Sequence, residues 1–201
     1  MNFPYSRHSQ RYEYACQKGY FKDKVVADVG CGNAIGTSLI SMDAKMVFAI
    51  DPRLAGYVDK PFIYLEVCGD KGRNKKNIVW VAEKFNPQNI NYKIDVVTLV
   101  EVFEHIEKPE EFLKMVATHC ENVFITTPLA NVTGKTRNLA HVAEYSMKDF
   151  DAFVSKDFDI LEKKYQTGDM NIVDRAEFSG DSFDHNHTVQ MVWARSRYAR
   201  E

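Results

Sequence analysis

With 201 residues, 45% of them hydrophobic and 27% charged, the chain can bury one sizeable core and lacks the composition of a disordered or collagen-like protein. None of its apolar runs approaches the ~20 residues of a membrane-spanning helix, so no membrane partner is expected. A formal charge of -2 gives no overall attraction to nucleic acid. The opening residues Met1-Asn2-Phe3-Pro4-Tyr5 lack a signal peptide's basic start and apolar stretch, which leads to the expectation of a cytoplasmic location. Four cysteines, Cys16, Cys31, Cys68 and Cys120, are widely spaced without a C-x-x-C pair, and reduced thiols are expected rather than a zinc site.

In chain order, residues 6–19 are polar and aromatic, with Tyr12, Ala15 and Cys16 at helical spacing. Five short apolar runs follow, each reading as a buried strand: Val25–Val29, Met46–Ile50, Ile78–Val81, Val96–Val100 and Val123–Thr126. Uninterrupted apolar strands imply a sheet covered on both faces, hence a parallel α/β arrangement. Pro109-Glu110-Glu111 opens a helix, since proline suits the first helical position and the acids complement the positive helix end. Ser146 followed by Asp149 resembles a capping box for another helix, which carries Phe150, Phe153 and Val154 on one face. The basic stretch Lys71–Lys76 reads as a solvated loop, and residues 84–94 also read as loop. Phe158–Leu161 and Val189–Trp193 read as a C-terminal hairpin, with a long polar loop over 166–187 between them. The expected organisation is one domain over 1–201: a helix over about 6–19, a cofactor-binding half over about 24–106 and an acceptor-side half over about 107–201.

The most informative stretch is Asp28-Val29-Gly30-Cys31-Gly32-Asn33-Ala34-Ile35-Gly36. A strand running into closely spaced glycines lets backbone approach a ligand. The second strand then ends in Asp51, where a carboxylate can accept hydrogen bonds from both ribose hydroxyls of an adenosine ligand. A dinucleotide fingerprint would need glycine at position 35, where Ile35 stands, and no G-x-x-x-x-G-K-[ST] phosphate loop occurs. An acid ending the first strand, Asp28, offers a negative partner for the ammonium of an adenosyl-amino-acid ligand. Cys31 has no activating neighbour in sequence and reads as a small turn residue.

Asp28-x-Gly30-x-Gly32 resembles motif I of the class I S-adenosylmethionine-dependent methyltransferases, and Ile50-Asp51 resembles their ribose-binding strand end. Asp95 through Glu101 resembles their motif IV, and Thr126-Thr127-Pro128 their strand-five ending, so the resemblance covers roughly residues 8–165. It implies a Rossmann-like α/β fold: a seven-stranded, mostly parallel sheet with helices on both faces and an antiparallel C-terminal strand. It implies S-adenosylmethionine as cofactor, held by Asp28, Gly30, Cys31, Gly32, Asp51, Pro52, Ala82, Glu83 and Glu101. Two departures stand out. Ala34 replaces the usual third glycine, and Val81-Ala82-Glu83 ends the third strand where relatives place an acid against adenine.

Glu101, Glu104 and His105 follow the fourth strand, and helical spacing would bring them toward one side. His141 lies just before the capped helix. Glu-x-x-Glu-His, Thr-Thr-Pro and Asn138-x-x-His141-Val142-x-Glu144-Tyr145-Ser146 together resemble the small bacterial type-11/23 methyltransferases, some of which act on sugars. The set Glu101, Glu104, His105 and His141 also resembles the magnesium site of RNA-terminal 2′-O-methyltransferases. Three readings stay open. The residues hold magnesium; or His105, His141 and Glu104 act directly as acid–base and positioning groups; or Glu101 contacts the cofactor, Glu104 caps or is solvated, and the histidines are hydrogen-bonded structural groups. An oxygen acceptor needs its proton removed, so the histidines favour O-methylation of a small-molecule or sugar-type acceptor. A nicotinamide-dependent oxidoreductase and a non-catalytic cofactor-binding protein are the alternatives from other classes.

Overall fold

The computed structural model describes residues 7–56, 76–130, 139–174 and 188–199. Cys68, most of the basic stretch 71–76 and the segment 175–187 lie outside the described residues. Each expected apolar run forms a strand: β1 (Val25–Val29), β2 (Met46–Ile50), β3 (Ile78–Val81), β4 (Ile94–Val100) and β5 (Cys120–Pro128). Strands β6 (Phe158–Gln166), β7 (Ile172–Val173) and β8 (Val189–Ser196) follow. Four α-helices are described: α1 (Arg7–Gln17), α2 (Ile35–Ile40), α3 (Pro109–His119) and α4 (Met147–Val154). The strand order is β3-β2-β1-β4-β5-β8-β6-β7. The β1–β2 and β2–β3 pairs are parallel, whereas β8 runs antiparallel to both β5 and β6.

Among the described residues the sheet has eight strands where seven were expected. The extra one is β7, two residues inside the segment read as loop, pairing Ile172 with Gln166 and Val173 with Tyr165. Both hairpin strands also extend beyond their apolar runs. β6 continues through Glu162-Lys163-Lys164, where the charged ends reach Asp151 and Asp174 and so hide the strand from an apolar pattern. The register shifts between Ile160 and Glu162, leaving Leu161 exposed at the bulge. β3 also differs from a fully buried strand: it ends the strand order, and Val79 and Trp80 are exposed.

The chain divides into two compact units, Met1–Thr98 and Leu99–Glu201. In the first, β1 is buried at all five positions, as expected for a strand covered on both faces. At its fourth position is Asp28, 0% exposed, held by three hydroxyls. Tyr12 of α1 and Thr98 of β4 donate to Oδ1 at 3.0 and 2.7 Å, and Thr37 of α2 donates to Oδ2 at 2.5 Å. Burial raises the Asp28 carboxyl above its usual range, and the three hydroxyls pull it back only in part. Burial, then the Asp28 charge, pushes the Tyr12 hydroxyl well up, so Tyr12 remains a donor. Gly36, the glycine one place late for a dinucleotide fingerprint, has a packing role: a Cβ there would lie inside the Tyr12 ring.

The second unit buries Leu113, Val116 and Ala117 of α3 and Phe150 and Val154 of α4. Pro109 occupies the first turn of α3 as expected. Ser146 caps α4, accepting from the Asp149 N–H at 3.1 Å and donating to the Asp149 carboxylate at 2.7 Å. Phe103 packs tilted against Tyr145 and edge-on against Phe150, with centroids 4.9 and 5.6 Å away.

Three stability outcomes follow, all readable by chemical unfolding. Gly36→Ala forces a methyl into the Tyr12 ring and should cost about 1–3 kcal/mol. Thr98→Val strips one donor from a buried carboxylate and should cost about 1.5–3 kcal/mol. The pH dependence has a definite sign. A carboxyl raised in the fold weakens the folded state above its folded pKa. Stability should therefore rise as pH falls from that value toward the unfolded ~3.9. Asp28→Asn, uncharged but still an acceptor, should flatten that rise.

Candidate active site

The glycine turn leaves β1 through Gly30 (φ 68°) and Gly32 (φ 56°), left-handed conformations that a side chain would strain. The N–H groups of Gly30 and Cys31 donate to the Ile50 carbonyl at 2.7 and 3.3 Å, tying the turn to the end of β2. Ala34, where relatives carry glycine, is also left-handed (φ 59°) and precedes α2 without a side-chain cap. A methyl is thus tolerated there at the cost of strain.

Asp51 emerges from β2 and is 2% exposed. Its Oδ2 accepts from the Gly32 N–H at 3.0 Å and Arg53 Nη2 at 2.7 Å; its Oδ1 accepts from the Arg53 N–H at 2.8 Å and Nε at 3.0 Å. Burial works to raise the Asp51 carboxyl, but the bonds from Arg53 and Gly32 together hold it below the usual carboxylate range. Pro52 begins the 3-10 turn Pro52–Gly56, which carries Arg53. Cys31 packs with Ala49 and Leu54, and Ala82 and Ile78 lie against them. Burial, then the Asp28 and Asp51 charges, pushes the Cys31 thiol far up, in agreement with a packing role and not a nucleophile. The structure therefore gathers Gly30, Cys31, Gly32, Asp51, Pro52 and Ala82. Glu83 is exposed, its carboxylate 3.5 Å from the Asn89 side-chain amide.

Asp28, expected to face the ammonium of the cofactor, is enclosed here, its two oxygens accepting three hydroxyl hydrogen bonds that tie α1, α2 and β4 to β1.

In the second unit, Glu101 is left-handed (φ 56°) and ends β4. Its N–H donates to the Thr126 carbonyl at 3.1 Å, and the Thr126 hydroxyl donates to its carboxylate at 3.3 Å. A 3-10 turn, Phe103–His105, follows instead of the expected helical turn. Glu104, His105 and His141 can each place one ligand atom within 4.8 Å of the others; Glu101 is not part of this group. The left-handed residue breaks the helical spacing that would have aligned it.

Glu104 is 1% exposed and accepts from the Thr127 hydroxyl at 3.1 Å. Its backbone carbonyl accepts from the N–H groups of Val142 and Ala143, which fixes the His141 segment beside it. The imidazoles of His105 and His141 meet edge-on, 5.0 Å apart. His105 Nδ1 lies 2.9 Å from the Ala140 carbonyl, and His141 Nδ1 lies 2.9 Å from Glu144 Oε1. A carbonyl and a carboxylate only accept, so each Nδ1 carries the hydrogen, which in a neutral imidazole leaves the lone pair on Nε2. Two imidazole nitrogens with one carboxylate form a donor set for a transition ion; magnesium prefers oxygen ligands, so the set does not fit it. Sequence assigned no role to Arg53, nor to Thr127 and Glu144, although the last two stand in the motifs quoted above. Glu144, three residues after His141, was the one with a visible spacing signal.

A family model described as a methyltransferase domain matches residues 8–159. Among curated proteins, none matches the chain in sequence. Several solved structures share its fold. The N-methyltransferase NodS from Bradyrhizobium japonicum, in complex with S-adenosyl-L-homocysteine, is 13% identical with a TM-score of 0.65, covering 95% of this chain and 86% of that one. Magnesium protoporphyrin IX methyltransferase from Synechocystis, with the same ligand, is 12% identical with a TM-score of 0.63, covering 94% and 83%. A small RNA methyltransferase is 18% identical with a TM-score of 0.66, covering all of this chain (100%) and 27% of that one. The family match spans well over half the length, and the chain belongs to the methyltransferase-domain family as a class I S-adenosylmethionine-dependent methyltransferase.

Proposed function

We propose that the chain works as one methyltransferase domain, methylating a hydroxyl of a small, sugar-type acceptor. In this reading the glycine turn and Asp51 hold S-adenosylmethionine, Asp51 accepting the ribose hydroxyls. Ala82 and Glu83 lie along the adenine side, and Glu101 is a further cofactor contact. The observation that carries the chemistry is the His141–Glu144 pair, with a side-chain exposure of 11% and 2%. His141 Nε2 takes the acceptor proton while Glu144 steadies the resulting imidazolium, and the hydroxyl oxygen displaces the methyl group from the sulfonium. The other products are S-adenosylhomocysteine and a protonated imidazole, which then releases its proton to water. His105 and Glu104 position this histidine. The net charge of -2 favours a small acceptor over RNA, although the structural relatives include enzymes named for each.

A second reading rests on the clustering of Glu104, His105 and His141, whose ligand atoms lie within 4.8 Å of one another: a transition-metal ion bound there would acidify the acceptor hydroxyl. Chelation separates the two readings.

Asp51→Ala should weaken S-adenosylhomocysteine binding at least ~10-fold in calorimetry, since bonds to a charged group contribute ~1.5–3 kcal/mol each. Unchanged affinity in a folded variant removes Asp51 from the site. With a panel of hydroxylated acceptors, His141→Gln and Glu144→Gln should lower kcat by roughly 10²–10⁴ and leave cofactor affinity unchanged. A chelator should have no effect on the wild-type rate. Loss of turnover with chelator, restored by manganese or zinc, would favour the metal reading.

A further inference from the structure

The ribose-binding carboxylate already carries a full complement of donors, and one of them comes from an exposed side chain. A carboxylate has about four lone-pair directions. At Asp51 these are taken by the Gly32 N–H, the Arg53 N–H, Arg53 Nε and Arg53 Nη2. Two of the four are backbone donors, fixed by the glycine turn and by the 3-10 turn after Pro52. The other two belong to one guanidinium whose side chain is 69% exposed. That guanidinium also lies over the turn, since a Cβ on Gly32 would be 3.5 Å from Arg53 Nη2. Arg53 thus covers both the acceptor atoms and the glycine surface that an adenosine would use.

We propose that the Arg53 guanidinium is an internal competitor of the cofactor ribose, a latch on Asp51 that must swing away before the ribose hydroxyls can bond. This rests on the reading that Asp51 is the ribose acceptor. A ribose diol offers two hydroxyl donors side by side, matching the two that the guanidinium presents. Exchanging one pair for the other leaves Gly32 and the Arg53 backbone in place. Displacement is feasible because the guanidinium stays charged and hydrated once released, and an ion pair with one exposed partner is modest in strength. The latch keeps the nearly buried Asp51 charge compensated, so ligand binding exchanges donors instead of filling an open site. Arg53 lowers cofactor affinity by this competition, the opposite of an ordinary contact residue.

The test is calorimetric titration of S-adenosylhomocysteine into wild type, Arg53→Ala, Arg53→Lys and Asp51→Ala, with thermal unfolding of each. Arg53→Ala should bind roughly 3–10-fold more tightly, and Arg53→Lys, which loses the two-pronged contact, should be intermediate. Arg53→Ala alone should unfold at a slightly lower temperature yet gain more from added ligand. Equal or weaker binding by Arg53→Ala, with wild type binding and Asp51→Ala impaired, overturns the latch and leaves the ribose assignment standing. Failure of wild type to bind, or full affinity in folded Asp51→Ala, overturns the ribose assignment and the latch with it.

Discussion

A charge placed in the interior has to be compensated, and in the first unit the compensation of Asp28 fixes the geometry of everything around it. Its three hydroxyl partners come from α1, α2 and β4, so one carboxylate determines how two helices and a neighbouring strand meet β1. The same arrangement brings the Tyr12 ring against α2, which is why position 36 has no room for a side chain. With both ends of the glycine turn so restrained, Gly32 is left with its N–H aimed at Asp51. The turn that carries the Gly32–Asp51 bond is therefore shaped in part by a carboxylate enclosed inside the first unit.

The sequence revealed most where burial alone sets structure. Five apolar runs became strands because a strand covered on both faces needs apolar residues at consecutive positions. Pro109 and Ser146 marked helix starts because capping is local. Side-chain partnerships between distant residues were not legible. The donors to Asp28 stand 9, 16 and 70 residues away, and an acid at a strand end looks the same whether it faces a ligand or three hydroxyls. Glu101 was misaligned with Glu104 for a different reason. One left-handed residue at the end of β4 resets the backbone direction, and only glycine announces such a conformation reliably. The charged half of β6 was hidden because lysines whose ends reach carboxylates satisfy a strand without any apolar signature.

Of the candidate site, the turn and Asp51 were legible from spacing, and His105 and His141 from residue type. The supporting residues were not. Thr127 orients Glu104, Glu144 orients His141, and the Ala140 carbonyl orients His105. Each such bond selects one ring tautomer or one carboxylate rotamer, and so decides what chemistry the named residues can perform. The two units carry different chemistry. The first presents fixed backbone donors and a carboxylate suited to a nucleoside; the second presents imidazole lone pairs suited to a proton or a transition ion.

In the proposed function Asp51 receives the ribose of S-adenosylmethionine on the glycine turn. A crystal structure with S-adenosylhomocysteine tests it most directly. Both ribose hydroxyls should lie within hydrogen-bond distance of the Asp51 carboxylate, with the Gly32 N–H bond retained and Asp28 still enclosed by Tyr12, Thr37 and Thr98. A ligand bound elsewhere, or bound with the Asp51 carboxylate making no contact to the ribose, would contradict it.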